Sequence, residues 1–380
     1  MFDFEMPPRA AYVHVPFCRH RCGYCNFTLV ADRDDLIGDY LRAIELELRS
    51  LGEPREVDTL FFGGGTPTHL PPHQLRGLIE TARRWFPLAA GYELSVEANP
   101  ADLDEPTLAV LAECGVNRLS IGGQSFDAAT LTTLERDHAP DQLRNVVAAA
   151  QHCVPSVSLD LIFGVPGQSL ESWNADLAAA LELAPQHVST YGLTFERGTA
   201  FWKRLLEGEL GRLDEEIERS MYATAIDTLV GAGFEHYEVS NFAQPGHRCR
   251  HNETYWTGRG YHAVGPGAAR YIDGRREMNH RSTITWLKRV LSGQSPVAES
   301  ETLTPPDRAR EFLVFALRRL EGIDRQTFAK QTGQQIDDLV GEPLARFVDE
   351  GLLADDGRRV RLSRAGLFVS DALWPYFLRG

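Results

Sequence analysis

The chain reads as an α/β protein: an incomplete barrel of six βα units followed by a helical, winged-helix-like domain. Three observations point there. Short apolar runs alternate with longer helical patterns through about the first 215 residues, the mark of βαβ units and a parallel sheet. Cysteine-bearing and polar segments fall at the C-terminal ends of those runs, the edge where such sheets do chemistry. Beyond about residue 215 the alternation stops and a different pattern takes over.

In order, AAYVHVPF (10–17) is the first strand and DDLIGDYLRAIELELRSLG (34–52) an amphipathic helix. VDTLFFGG (57–64) is the second strand, with a helix near 72–86 behind it. YELSVEAN (92–99), VNRLSIGGQSF (116–126), VSLDLIFGVPG (157–167) and HVSTYGLTF (187–195) complete six strands. Helical stretches such as EPTLAVLAECG and LESWNADLAAALEL separate them. DEEIERSMYATAIDTLVGAG then leads into a Gly- and aromatic-rich stretch from Tyr237 to Ala269. After about residue 303 the order is helix, helix, helix and a hairpin over LLADDGRRVRLSRAG, as in a winged helix. Three regions follow: a partial barrel (1–215), a connecting region (216–300) and the C-terminal domain (301–380). The tail has balanced charges and no basic face, which favours contact with protein, or a covering role, over binding DNA.

Bulk properties narrow the function. The 380 residues suit one large domain with an appendage, or two domains. A formal net charge of -14 argues against an electrostatic grip on nucleic acid or on anionic membrane. No apolar window approaches the ~20 residues a membrane span needs. The opening MFDFEMPPRA lacks the basic and apolar regions of a signal peptide, so a cytoplasmic location is expected. Cys114, Cys153 and Cys249 are scattered singly and read as small buried hydrophobes.

Cys18, Cys22 and Cys25 are different, being crowded into CRHRCGYC directly after the first strand. Zinc could take three thiolates with His14 or His20, but structural zinc sites pair two short spacings and no second CxxC exists here. An electron-transfer cluster normally takes four cysteines. Three would leave one iron of a [4Fe–4S] cluster without a protein ligand, open to a substrate or cofactor. S-adenosylmethionine can chelate such an iron through its amino and carboxylate groups.

With Tyr24 before the third cysteine, the motif resembles that of the radical S-adenosylmethionine family. In particular it resembles the branch that holds oxygen-independent coproporphyrinogen III oxidases and HemW-type heme chaperones. The resemblance covers nearly the whole chain, tail included. It implies a [4Fe–4S] cluster on Cys18, Cys22 and Cys25. It also implies cofactor contacts from Gly64, Gly65 and Thr66 of GGGTP, where glycines would let the backbone approach the methionyl end. That loop is no phosphate loop, since no GK[ST] follows. Further implied contacts are Tyr12, Glu97 (SVEANP), Gln124 (IGGQSF), Arg136 (LERDH) and Asp160 (SLDLIFG). Arg136 suits the cofactor carboxylate, whereas acids and amides suit ribose hydroxyls and the amine.

Within the branch, three features side with the chaperones. Oxidases carry a fourth cysteine two residues past the third, where this chain has Phe27. They also carry a longer segment ahead of the first strand, where only about ten residues stand here. HemW-like chains carry HNxxYW, present as HNETYW (251–256). One departure is Ala263, which stands where a glycine is usual. The resemblance therefore implies heme as cargo, an acceptor protein as partner and His251 as candidate heme ligand. The bland reading of the same motif is that His251 and Asn252 satisfy loop backbone while Tyr255 and Trp256 pack under the tail. A coproporphyrinogen oxidase, or another radical enzyme acting on a tetrapyrrole, remains the alternative.

Overall fold

The structure, a computed structural model, describes residues 7–378. The first six residues, part of the stretch read above for a leader, lie outside the described residues, as do the last two. No helix among the described residues is long and apolar enough to cross a membrane.

Six strands form the scaffold: β1 (Ala10–Val15), β2 (Val57–Gly64), β3 (Leu88–Ala98), β4 (Arg118–Gln124), β5 (Ser156–Phe163) and β6 (His187–Gly192). They pair in parallel in chain order, so every C-terminal end lies on one edge. Alternation along each strand separates two faces. Val13, Leu60, Phe62, Leu94, Val96, Leu119, Ile121, Leu159 and Val188 are fully buried on the outer face. The helices α1 (Ile37–Arg49), α2 (Pro72–Trp85), α3 (Glu105–Glu113), α4 (Pro140–Cys153), α5 (Leu170–Glu182) and α6 (Glu215–Gly231) supply the cover. Their starts are chemically marked. Asp104 accepts from Thr107 N at 2.9 Å, Ser169 and Ser172 form a capping box, and proline opens α2 and α4.

The inner face is unlike an apolar core. Ser95, Ser120, Ser158 and Ser189 share the inward parity with Glu97 and Asp160, and in register Glu97 pairs with Ser120, Ser120 with Ser158 and Asp160 with Ser189. Short side chains leave a hollow interior that opens at the C-terminal edge.

The sheet carries nine strands rather than six, because three short ones extend its edges. β7 (Glu235–Glu238) and β8 (Asn241–Ala243) add antiparallel beyond β6. After the short helix α7 (Arg250–Trp256), β9 (His262–Val264) pairs in parallel with β1. The order is therefore 9-1-2-3-4-5-6-8-7, an open sheet, as expected for an incomplete barrel. The Gly- and aromatic-rich stretch thus supplies both edges. A second sheet follows, from β10 (Ala269–Ile272), β11 (Arg275–Asn279) and β12 (Val297–Thr302), with α8 (Thr283–Leu291) between the last two.

The tail runs α9 (Pro305–Arg318), β13 (Ile323–Asp324), α10 (Arg325–Thr332), α11 (Ile336–Asp349), β14 (Leu353–Asp355), β15 (Arg359–Leu362) and α12 (Ser370–Leu378). The three helices and the hairpin match the sequence reading. β13 is a third strand, pairing with β15, which the reading did not include. The tail grips the barrel through Arg364 on Asp227 at 2.8 Å and Phe368 edge-on to Tyr222.

Candidate functional site

A cavity of about 680 Å³ opens at the C-terminal edge of the strands. Its walls bring together the three cysteines and every cofactor contact expected from sequence except Tyr12, and they do not include the heme candidate His251.

The cysteine loop leaves β1 and is folded by its own backbone contacts. Arg21 wraps it, its guanidinium donating to Leu29 O at 2.6 Å and to Phe27 O at 3.4 Å. The glycine segment after β2 continues the pairing, with Gly65 N on Val15 O at 2.8 Å and Thr66 N on Phe17 O at 2.7 Å. From the far side, Phe201 N donates to Gly23 O at 2.8 Å. A Cβ on Gly23 would fall 2.5 Å from the Phe201 ring, so only glycine fits. The three thiols line one cavity, yet no three His, Cys, Asp or Glu among the described residues converge on a single-ion position. Zinc bound at ~2.3 Å needs such convergence. A cluster bridged by its own sulfides asks for one thiolate per ligated iron, which three thiols lining one cavity can supply. Burial holds the Cys18 thiol up at about 12, against a hydrogen bond with Thr66.

Two carboxylates face the same space. Glu97 accepts from Gly64 N at 2.9 Å, and burial pushes it up to about 7, with Asp160 adding to the rise. Asp160 accepts from Ser120 at 3.0 Å and Ser158 at 3.4 Å, and burial raises it too. Their partners are hydroxyls and one amide, not cationic side chains. The charge of the buried Arg118 pulls Asp160 down, but no cationic side chain acts on Glu97. A buried carboxylate without a counter-charge is costly, so Glu97 invites a cationic ligand. A sulfonium or ammonium group meets that demand, and the residues present fit S-adenosylmethionine on this ground.

The glycines also have a packing reason that the sequence did not show. Gly64 has φ 110, and a Cβ there would lie 2.3 Å from the His14 ring. A Cβ on Gly65 would lie 2.7 Å from Phe17 O. Close packing against the cysteine strand excludes side chains at both positions. Gln124 sits at φ 67 where the β4–β5 register slips between Gly122 and Gln124, a bulge that turns the chain at the rim. Arg136 donates to Gly122 O at 2.9 Å and to Cys22 Sγ at 3.6 Å.

Tyr12 and His251 lie deeper, away from the cavity walls. Tyr12 Oη is 3.2 Å from His14 Nδ1, and its ring stacks on Phe61. His14 lies beneath Gly64, with Nε2 on Thr28 O at 2.7 Å. His251 is 1% exposed, with Nδ1 on Thr59 at 2.9 Å and Nε2 on Tyr255 at 2.8 Å. Burial lowers its pKa to about 3. Helix α7 thus reaches the inward face of β2 and β3 through His251. Sequence reading missed Tyr191, which lines the cavity from the end of β6. The signal was available: Tyr191 shares the inward parity of His187 and Ser189 and precedes a glycine at a strand end.

Comparison with known proteins agrees with this geometry. Residues 12–180 match the Radical SAM superfamily and residues 303–369 the HemN C-terminal domain. A Bacillus subtilis protein named heme chaperone HemW is 33% identical over 376 residues, covering 97% of this chain and 99% of that one. A Lactococcus lactis protein of the same name is 32% identical, covering 98% and 97%. The bovine radical S-adenosyl methionine domain-containing protein 1, mitochondrial, is 36% identical, covering 96% and 86%. The solved structure of coproporphyrinogen III oxidase (HemN) from Escherichia coli superposes with a TM-score of 0.87, covering 99% of this chain and 91% of that one. At 23% identity, that likeness speaks for the fold alone.

Proposed function

The chain belongs to the HemW family within the radical SAM superfamily, and from that premise we propose that it binds heme and hands it to an acceptor protein. In this reading Cys18, Cys22 and Cys25 hold a [4Fe–4S] cluster, and S-adenosylmethionine lies beside Glu97 and Asp160. Once bound, that pair supplies an open iron and a one-electron donor next to a cleavable C–S bond. The protein's own part is to seat them: thiols from one loop, backbone from the glycine segment and two carboxylates for the positive groups. A cytoplasmic setting belongs to the same proposal.

One observation carries the choice of chaperone over oxidase. At the position where oxidases of the branch have a fourth cysteine stands Phe27, 63% exposed at the cavity rim. A side chain without a thiol can do no redox or acid work there, whereas an exposed ring offers a flat apolar contact.

Two seats for heme follow. His251, in the HNETYW helix, is one, but its ring must first leave Thr59 and Tyr255. The rim is the other, where Phe27 and Tyr191 are 63% and 42% exposed and need no rearrangement. The deciding experiment for function is anaerobic reconstitution followed by heme titration and, in parallel, an assay with coproporphyrinogen III. Saturable heme binding without protoporphyrinogen formation is expected. Robust oxidase turnover with reductant and S-adenosylmethionine would overturn the chaperone reading.

A further inference from the structure

Two side chains outside the cysteine motif touch the sulfurs that the proposed function gives to the cluster. Arg136 Nη1 donates to Cys22 Sγ at 3.6 Å, and Thr66 Oγ1 lies 3.3 Å from Cys18 Sγ. Cys25 is met by the backbone of Phe27. Arg136 is built into this position rather than swung there by chance. Its second nitrogen is anchored on Gly122 O at 2.9 Å. The residue before it, Glu135, holds a left-handed φ of 56. The Glu135 carbonyl accepts from His20 Nε2 at 2.5 Å, and its carboxylate pairs with Arg204 at 3.1 Å. The loop from Leu134 onward is thereby held to the cysteine loop through His20 and to the helix Ala200–Leu206 through Arg204. Arg136 Nε is buried without a hydrogen-bond partner, so the anchoring was not built to satisfy that side chain for its own sake.

We propose that Arg136 and Thr66 set the reduction potential of the cluster, Arg136 by placing a positive charge on Cys22 and Thr66 by a hydroxyl bond to Cys18. The inference rests on the three-cysteine cluster reading and not on heme binding. Reduction adds one electron, taken from a low-potential reductant that is itself oxidised. No bond breaks, and the cluster with its three thiolates becomes one unit more negative. A fixed cation and a hydrogen bond to sulfur both stabilise that added charge and raise the potential. The charge-assisted contact is the stronger of the two. Sequence reasoning put Arg136 on the carboxylate of S-adenosylmethionine, so the two roles are separated by working without that cofactor.

The test uses the full chain, reconstituted anaerobically with iron and sulfide, free of heme and S-adenosylmethionine, and reduced with dithionite in a potential-poised electron paramagnetic titration. At the midpoint of the parent, Arg136→Gln is expected to lower the ratio of reduced to oxidised cluster at least tenfold, about 59 mV for one electron. Arg136→Lys, which keeps the charge, should stay within about threefold of the parent, and Thr66→Val should fall by about threefold. A parent that binds no iron would end the cluster reading itself, a failure distinct from this one. An unchanged ratio in Arg136→Gln with its iron intact would overturn the proposal, as would equal shifts in the Gln and Lys variants. If Arg136→Gln keeps its melting temperature but loses the cluster and Arg136→Lys regains it, the need for a cation at Cys22 is supported. If both lose the cluster, Thr66→Val decides, and an unshifted potential there overturns the proposal.

Discussion

Cys18 bonds Thr66, Cys22 meets Arg136 and Cys25 follows the turn closed by its own amide on Cys22 O at 3.0 Å, so no two of the three thiols have interchangeable surroundings. A cluster with three protein ligands nonetheless needs all of them. Replacing any one by Ala should leave a chain that takes up no stable cluster, read as loss of bound iron and of the broad absorption near ~400 nm typical of thiolate-ligated clusters. Full iron retention in the triple variant would sink the assignment. His251 poses the opposite problem, a side chain visible in the sequence whose surroundings were not. Its two ring nitrogens are already used by Thr59 and Tyr255. His251→Ala leaves two hydroxyls short of a partner, so unfolding by denaturant should show a loss of about 1–3 kcal/mol. If it is also the heme ligand, heme affinity falls at least tenfold, about 1.4 kcal/mol, while the cluster survives. Unaltered affinity and spectrum, with weakened binding in Phe27→Ser, would move the cargo to the rim. The motif residues could be read because their chemistry is local to a few positions. Burial of His251 could not, because it depends on β2, some 190 residues away in sequence.

The elements that carry the site were legible where they are long and apolar, and illegible where they are short. β2 and β5 run eight residues each and are buried along nearly their whole length, so apolar runs between turn signals mark them. Helix α7 has seven residues, opens on Cys249 with no side-chain cap and lies in a Gly-rich stretch, so nothing local announces it. Its N-terminus is capped from another element. Glu93 of β3 accepts from Arg250 N and from His251 N, both at 2.9 Å. A carboxylate at a helix start satisfies orphan amides and opposes the helix dipole favourably. Glu93→Ala should therefore cost about 2 kcal/mol or more in denaturant unfolding, and Glu93→Gln, which can still accept one bond, about half of that. Iron uptake on reconstitution should be unchanged in both, since Glu93 and α7 contribute no residue to the cavity that the three cysteines line. A Glu93→Ala chain as stable as the parent would show that α7 stands without its cap. The edge strands β7, β8 and β9 were hidden for the same reason: three or four residues cannot display a period.

At the scale of the whole molecule, the hidden part is what ties the barrel to its connecting region, and one side chain shows how. Glu47 of α1 is buried and accepts from Gly265 N at 3.0 Å, Trp286 Nε1 at 3.0 Å and Asn279 Nδ2 at 2.7 Å. A single carboxylate thus joins the first helix to the turn after β9, to β11 and to α8 across more than 200 residues of chain. In the sequence it is one acid on an amphipathic helix, and an acid there reads as solvated. Burial pushes its carboxyl from 4.5 up to about 7, against the pull of its three donors. The sign of the pH effect follows. A folded pKa above the unfolded one means that the native state holds the proton more tightly, so the stabilisation is complete below about 4.5 and is lost as pH rises through about 7. Buried histidines with depressed pKa values, such as His14 and His138, act in the opposite direction, so the pH profile of the parent alone cannot isolate Glu47. Subtraction can. In Glu47→Gln the site stays neutral at every pH while the other groups are kept. The unfolding free energy of the parent minus that of the variant, from denaturant curves, should fall by about 3 kcal/mol between pH ~4.5 and ~8. A flat difference would mean that the three donors fully offset burial, so that Glu47 titrates as in the unfolded chain and the tie it makes is a charged one at neutral pH.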